Sequence, residues 1–271
     1  MSSPFHIIPP SRPPVPVIIS IPHAGTFFPQ DILGKLLPGK TAAPDDTDWF
    51  VDRLYDFAPE LGITTIVAEN SRWVVDLNRD PYDRPLYDDG RVMTSVVPIT
   101  DFNGESLYCD STFYPDAEEI RHRIEHYHRP YFEKLGQLLN KKKQEFGKVL
   151  LFDAHSIRKN VPGIQKDPFP DLILGDNNGT SAAALLCNTA LEKLHRPEYS
   201  LSYNFPFKGG YITRYFGNPD GNVHALQLEM SKTNYMDDTE RFYNDIRADN
   251  IRRVLRKTLE ALIETIEKEE L

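Results

Sequence analysis

The hydrophobic pattern of this 271-residue chain is organised by three apolar runs, each too short for a helix and each carrying a side chain that can do chemistry. Val149 to Phe152, inside KVLLFDAHS, reads as a strand buried on both faces and delivers Asp153 and His155. Val15 to Pro22, VPVIISIP, delivers His23, and Val223 to Met230, VHALQLEM, delivers Glu229. Open α/β sheets bind ligands outside the carboxyl ends of their strands. Two imidazoles and a carboxylate on three such runs therefore predict one shared crevice.

The remaining pattern fills in around these strands. Gln30 to Leu37 predicts a short helix, and PDDTDWFVDRLYDF over Pro44 to Phe57 a longer one, with Asp46 or Thr47 as N-cap and Asp48 in the first turn. Ile63 to Ala68 predicts a strand, and RWVVDLNR over Arg72 to Arg79 a strand or strand-to-loop passage. Residues 80 to 115 read as a long excursion that forms part of a lid or a substrate-facing flap, with one strand near Val92 to Val97. Asp116 to Phe146 predicts a long helix bent at Pro130. The segment Arg158 to Asn178 reads as irregular, Ser181 to Leu194 as a helix and Tyr199 to Phe205 as a strand. FKGGYITRYFGNPDG fits either a β-hairpin or a binding loop, with Gly209 and Gly210 allowing a close backbone approach. Asp238 to Glu269 predicts a helix packed across one face of the sheet.

Composition narrows the class. A hydrophobic content of 40% supports one core, nothing breaks the chain into two domains, and no repeat is present. A net charge of -9 argues against nucleic acid or an anionic membrane as partner, while leaving room for a small anionic substrate. Cys109 and Cys187 have no ligand-like spacing and read as reduced thiols of a cytoplasmic protein. The proline-rich start carries no signal-peptide pattern and predicts an extended lead-in.

Catalytic zinc takes three protein ligands and leaves a position for water. His23 and His155 supply nitrogens, and Asp48 is the expected carboxylate, with Asp46 and Asp45 as competitors. Glu229 is the expected general base. Asp153 is placed to orient His155, and Arg79 to polarise a carbonyl or hold a carboxylate. Each has a plainer reading: the aspartates as helix caps, Glu229 as a salt-bridge partner. His122 and His126 share a helix face with Glu118 and Glu119, but HExxH is absent and a solvated face accounts for them. His6, His128 and His195 receive no role.

Together, SIPHAG at His23, DDTDWFVDRLY at Asp48, RWVVDLNRDP at Arg79, DAHS at His155, FKGGYITRYFG at Arg214 and LQLEMS at Glu229 resemble the N-formylglutamate amidohydrolase family. The resemblance implies a single-domain α/β fold of the phosphorylase/hydrolase type shared with zinc carboxypeptidases, a mixed β-sheet flanked by helices. It also implies one catalytic zinc ion and hydrolysis of N-formyl-L-glutamate to formate and L-glutamate in histidine degradation. Aspartoacylase is more distantly similar through Asp76 to Arg79, where its Asn and Arg contact substrate. Those relatives take two ligands from HxxE, whereas this chain reads His23, Ala24, Gly25, Thr26, so the carboxylate comes from elsewhere. A dicarboxylate substrate calls for two cationic anchors, expected at Arg79 and Arg214, with Asn78, Arg72 and Lys208 in reserve. Alternatives are a different N-acyl amino acid or peptide, a non-catalytic carboxylate-binding module, or Ser156 as nucleophile without a GxSxG elbow.

Overall fold

A computed structural model describes residues 3–87 and 93–268. Seven strands form one mixed sheet: β1 Phe5–Ile8, β2 Val17–Ile21, β3 Thr64–Ala68, β4 Val149–Ile157, β5 Leu172–Gly175, β6 Leu201–Tyr203 and β7 Val223–Ser231. Their order is β1-β3-β2-β4-β7-β5-β6. The inner four, β3, β2, β4 and β7, run parallel; β1 and β5 pair antiparallel with β3 and β7. The helices are α1 Gln30–Leu33, α2 Pro38–Thr41, α3 Val51–Leu54, α4 Ala117–Arg123, α5 Arg129–Phe146, α6 Ala184–Leu194, α7 Tyr211–Phe216 and α8 Asp245–Lys268.

The short apolar runs become strands because both faces of the sheet are covered. Leu150, Phe152 and Ala154 pack in a core with α3, α6 and α8, while Val149 and Leu151 pack on the opposite face with α5 and Ile212 of α7. All nine residues of β4 are buried, and each fully buried Leu or Phe contributes about 1.5–3 kcal/mol. Alternation then decides where the chemistry faces. Asp153 and His155 share the α5/α7 face with Val149 and Leu151, and β7 aligns Gln227 with Asp153 and Glu229 with His155. From β2 the chain goes to β3 on one side, then crosses back to β4 on the other, so the topological switch point lies between β2 and β4.

Several expectations are corrected. The helix predicted over Pro44–Phe57 shrinks to α3, because Phe50 takes a left-handed conformation (φ 62°) and Asp48 lies in the irregular turn before it. Arg72–Arg79 forms turns rather than a strand: Asp76 N donates to Val96 O, and the Asp76 carboxylate accepts from Asn78 N, which bends the chain. No strand forms over 93–97, and Val92, with the rest of 88–92, lies outside the described residues. The helix expected from Asp116 to Phe146 is interrupted by a π-turn at Ile124–His128 just before Pro130, where the wider turn relieves the clash a proline ring makes inside a helix. The segment predicted to be irregular contains β5, a fully buried LILG. Tyr211–Phe216 is the helix α7 rather than a hairpin.

Candidate metal centre and active site

His23 follows β2 in a tight passage against the end of β3. A Cβ added at Gly25 would stand 2.5 Å from Asn70 O, so only glycine lets this backbone approach so closely. The Asp48 amide donates to His23 O (3.0 Å), tying the turn that carries the carboxylate to the imidazole beside it. His155 enters from β4. Asp48 Oδ2 lies 3.0 Å from His155 Nδ1 and 3.7 Å from His23 Nδ1, and one donor atom from each of the three residues falls within 4.8 Å of the others. Ligands about 2.0–2.1 Å from a tetrahedral zinc are spaced on this scale. His23 Nδ1 and Asp48 Oδ1 are buried with no hydrogen-bond partner among the described residues. Buried polar atoms are normally paired, so this donor set fits a divalent cation.

Asp45 and Asp46 are engaged elsewhere. The half-exposed Asp45 pairs with Arg158 at 2.7 Å, and Asp46 Oδ2 accepts from Trp73 Nε1 (3.1 Å) and Phe102 N (3.0 Å). Of the three aspartates, Asp48 is the one that joins the histidines.

Each imidazole is held from behind by a carboxylate. His155 Nε2 donates to Asp153 Oδ2 (3.0 Å), and His23 Nε2 donates to Asp76 Oδ1 (2.9 Å), which turns both Nδ1 atoms toward Asp48. Asp76 is fully buried and also accepts from Arg72 Nη2 at 2.6 Å.

The electrostatics follow from this packing. Burial opposes charge on His155, but Asp153 and Asp48 outweigh it and hold its pKa well above the usual histidine range. Burial and then Arg72 lower that of His23 despite Asp76. Burial would raise Asp76, yet Arg72 and Arg79 pull it well below the ordinary carboxylate value. Glu229 is pushed up to about 8, chiefly by burial, with Asp48 and Asp153 adding to the rise and His155 and Arg72 opposing it. A cation among the three ligands draws such a carboxyl back down.

His23, His155 and Glu229 line one pocket together with Arg72, Arg79 and Asn78 and with apolar residues that include Phe102, Ile157, Ile164 and Phe207. The Arg79 guanidinium is steadied by Thr94 O (3.0 Å), and His128 Nε2 donates to Arg79 O (3.1 Å), giving that histidine a structural part. Arg72 lies over the Phe102 ring at 4.6 Å. Asn78 Oδ1 accepts from Ile212 N (2.9 Å), so this side chain also braces α7. Arg214 is not among the residues lining the pocket; it bonds Gly209 O and Leu86 O instead, and Lys208 does not line it either. His122 and His126 stack on each other on the exposed face of the helix. Ser156 Oγ is 2.7 Å from Tyr235 Oη, and among the described residues no imidazole is hydrogen-bonded to it.

Two participants escaped the sequence reading. Asp76 sits inside a quoted motif, and its spacing from Arg72 is the one signal of their ion pair. Gln227 accepts from Gly210 N (2.7 Å), and it stands two residues before Glu229 as Asp153 does before His155, a parallel the strand register makes meaningful.

Comparison with known proteins places this site in context. The profile of the N-formylglutamate amidohydrolase family matches residues 15–236. The N-formylglutamate deformylase of Pseudomonas aeruginosa is 41% identical over 251 residues, covering 92% of this chain and 93% of that protein. The N-formylglutamate deformylase of Pseudomonas putida is 39% identical over 255 residues, covering 92% of each. The crystal structure of an N-formylglutamate amidohydrolase from Ralstonia eutropha JMP134 superposes with a TM-score of 0.81 at 26% identity, covering 98% of this chain and 99% of that one. With a family match over most of its length and two relatives near 40% identity, the chain belongs to the N-formylglutamate amidohydrolase family and is a hydrolase.

Proposed function

We propose that this chain hydrolyses N-formyl-L-glutamate to formate and L-glutamate, using one zinc ion held by His23, Asp48 and His155. The observation that carries the reading is the convergence of those three donors beside Glu229 in a member of this family. When bound, the ion supplies Lewis acidity and a water whose pKa falls toward about 7. Glu229 accepts a proton from the attacking water and delivers it to the departing nitrogen. The new C–O bond forms at the formyl carbon, the C–N bond breaks, and the proton ends on the amine of glutamate. Asp153 and Asp76 fix the imidazoles in the tautomer that faces Asp48, and Arg79 and Arg72, with Asn78, hold the substrate carboxylates and polarise the formyl oxygen. Zinc is favoured by a mixed nitrogen and carboxylate donor set.

The substrate places the reaction as the closing step of a histidine-degradation route. A cytoplasmic location is part of the proposal, supported by two cysteines that form no disulfide. No helix among the described residues is long and apolar enough to cross a membrane. The test is formate release from N-formyl-L-glutamate by zinc-loaded protein, beside N-acetyl- and N-succinyl-L-glutamate. Faster release of formate than of the other acids supports the reading; equal or preferred cleavage of either larger acyl group overturns it.

A further inference from the structure

The sequence assigns Arg214 to the substrate, but its surroundings assign it another task. The chain leaves the active site at Arg79 and runs through residues 80–87, whose Leu86 and Tyr87 line the same pocket as His23 and His155. This strap is fastened at its start by the Asp83 carboxylate, which accepts from Val96 N at 2.6 Å. Its far end is fastened by α7. Arg214 Nη1 donates to Leu86 O at 2.6 Å, and the guanidinium carbon stands 4.9 Å from the centre of the Tyr87 ring. Lys208 N donates to the Tyr87 hydroxyl at 3.1 Å. Arg214 itself is aimed by Nε donating to Gly209 O (2.8 Å), a carbonyl presented by a glycine at φ 111° that another residue adopts only under strain.

The N-terminal end of α7 is tied to residues that line the pocket. Ile212 N donates to Asn78 Oδ1 and Gly210 N to Gln227 Oε1, and Cβ placed on Gly210 would come within 2.4 Å of the Asn78 amide group. The helix therefore joins the strap to the pocket-lining Asn78 and Gln227.

We infer that Arg214 is a positioning residue that clamps the 80–87 strap over the active-site pocket, rather than an anchor for a substrate carboxylate. The planar fork explains why arginine is used: it reaches Gly209 O and Leu86 O together while presenting its face to Tyr87, which a lysine ammonium cannot do. Substrate binding then depends on Arg214 through Leu86 and Tyr87, so the loss on removing Arg214 is the same whether or not the substrate side chain is charged. The inference rests on the deformylase reading for its kinetic readout, and hydrogen exchange tests it independently.

The experiment compares zinc-loaded wild type, Arg214→Ala and Arg214→Lys. Amide hydrogen exchange is followed across the chain, and steady-state kinetics are measured with N-formyl-L-glutamate and its uncharged analogue N-formyl-L-glutamine. Loss of a charge-assisted hydrogen bond to the strap predicts exchange about tenfold or more faster at 80–87 in Arg214→Ala, with β4 and β7 protected as in wild type. KM rises by about the same factor for both substrates and by more than kcat falls, and Arg214→Lys recovers part of the exchange protection. A KM increase confined to N-formyl-L-glutamate identifies a direct carboxylate anchor and overturns the inference. Strap exchange that matches wild type, or that rises together with exchange in β4 and β7, overturns it as well. If wild type turns over neither substrate, the deformylase reading fails, and the exchange result alone decides the clamp.

Discussion

Replacing Asp76 by Asn separates the metal centre from the support behind it. Asp76 is fully buried and receives three donors: His23 Nε2 at 2.9 Å, Arg72 Nη2 at 2.6 Å and Asn78 N at 2.9 Å. Asparagine matches its shape but has one acceptor oxygen, so its NH2 group must confront either the imidazole or the guanidinium. Arg72, itself buried, also loses its closest counter-charge. Breaking a buried charged pair in this way costs about 3–5 kcal/mol. At about 2–4 °C per kcal/mol for a large single domain, the metal-free protein should melt about 6–20 °C lower. Losing the carboxylate that orients a metal-binding histidine weakens metal affinity by about 10–100-fold. Zinc affinity is measured by competition with a chromophoric chelator, and melting by circular dichroism on metal-stripped protein. A zinc affinity within about twofold of wild type would refute the claim that Asp76 orients His23 for metal.

Two further predictions follow from the same geometry. In the metal-free protein both His155 and Glu229 have pKa values raised on folding, Glu229 to about 8. A raised folded-state pKa gives stability that is complete below the unfolded value and lost as pH climbs through the folded one, whereas the lowered pKa of His23 acts in the opposite sense, so the contribution of Glu229 is read as the melting-temperature difference between metal-free wild type and Glu229→Gln, which should fall from about pH 5 to about pH 9. Zinc should reverse much of that fall; a difference that rises with pH over this window contradicts the assignment. Gly210→Ala should lower kcat/KM by about tenfold or more, because the new methyl must displace the Asn78 amide, and normal kinetics in that variant would show that Asn78 is not needed where it stands.

The parts of the fold that could be read in the sequence are those where burial alone decides. The runs that became β2, β4 and β7 are apolar on both faces, so no partner needed to be known in advance. Once β4 and β7 are neighbours, period-two alternation puts His155 and Glu229 on one face. What escaped depends on tertiary polar contacts. Arg72 to Arg79 has the apolar residues of a strand, yet Trp73 Nε1 is claimed by Asp46 and the Asp76 carboxylate by Arg72 and His23, which only a coiled passage allows. The four residues of β5 are too few to stand out against the prolines and aspartates around them. The task inferred for Arg214 is hidden for a related reason: nothing local reveals that Leu86, 128 residues earlier, is its acceptor. The closeness of Asp48 to the histidines was legible although the extent of its helix was not, because its proximity to His23 needs only the short link between them.

The central claim is that His23, Asp48 and His155 hold a metal ion without which no formate is made. The most direct measurement titrates zinc into metal-stripped wild type and Asp48→Ala while following both bound zinc and formate release from N-formyl-L-glutamate. The account predicts that wild-type activity appears in step with about one bound zinc per chain, and that Asp48→Ala binds zinc weakly and stays inactive at the same concentrations. Full zinc occupancy in Asp48→Ala, or undiminished formate release from metal-stripped wild type, would contradict it.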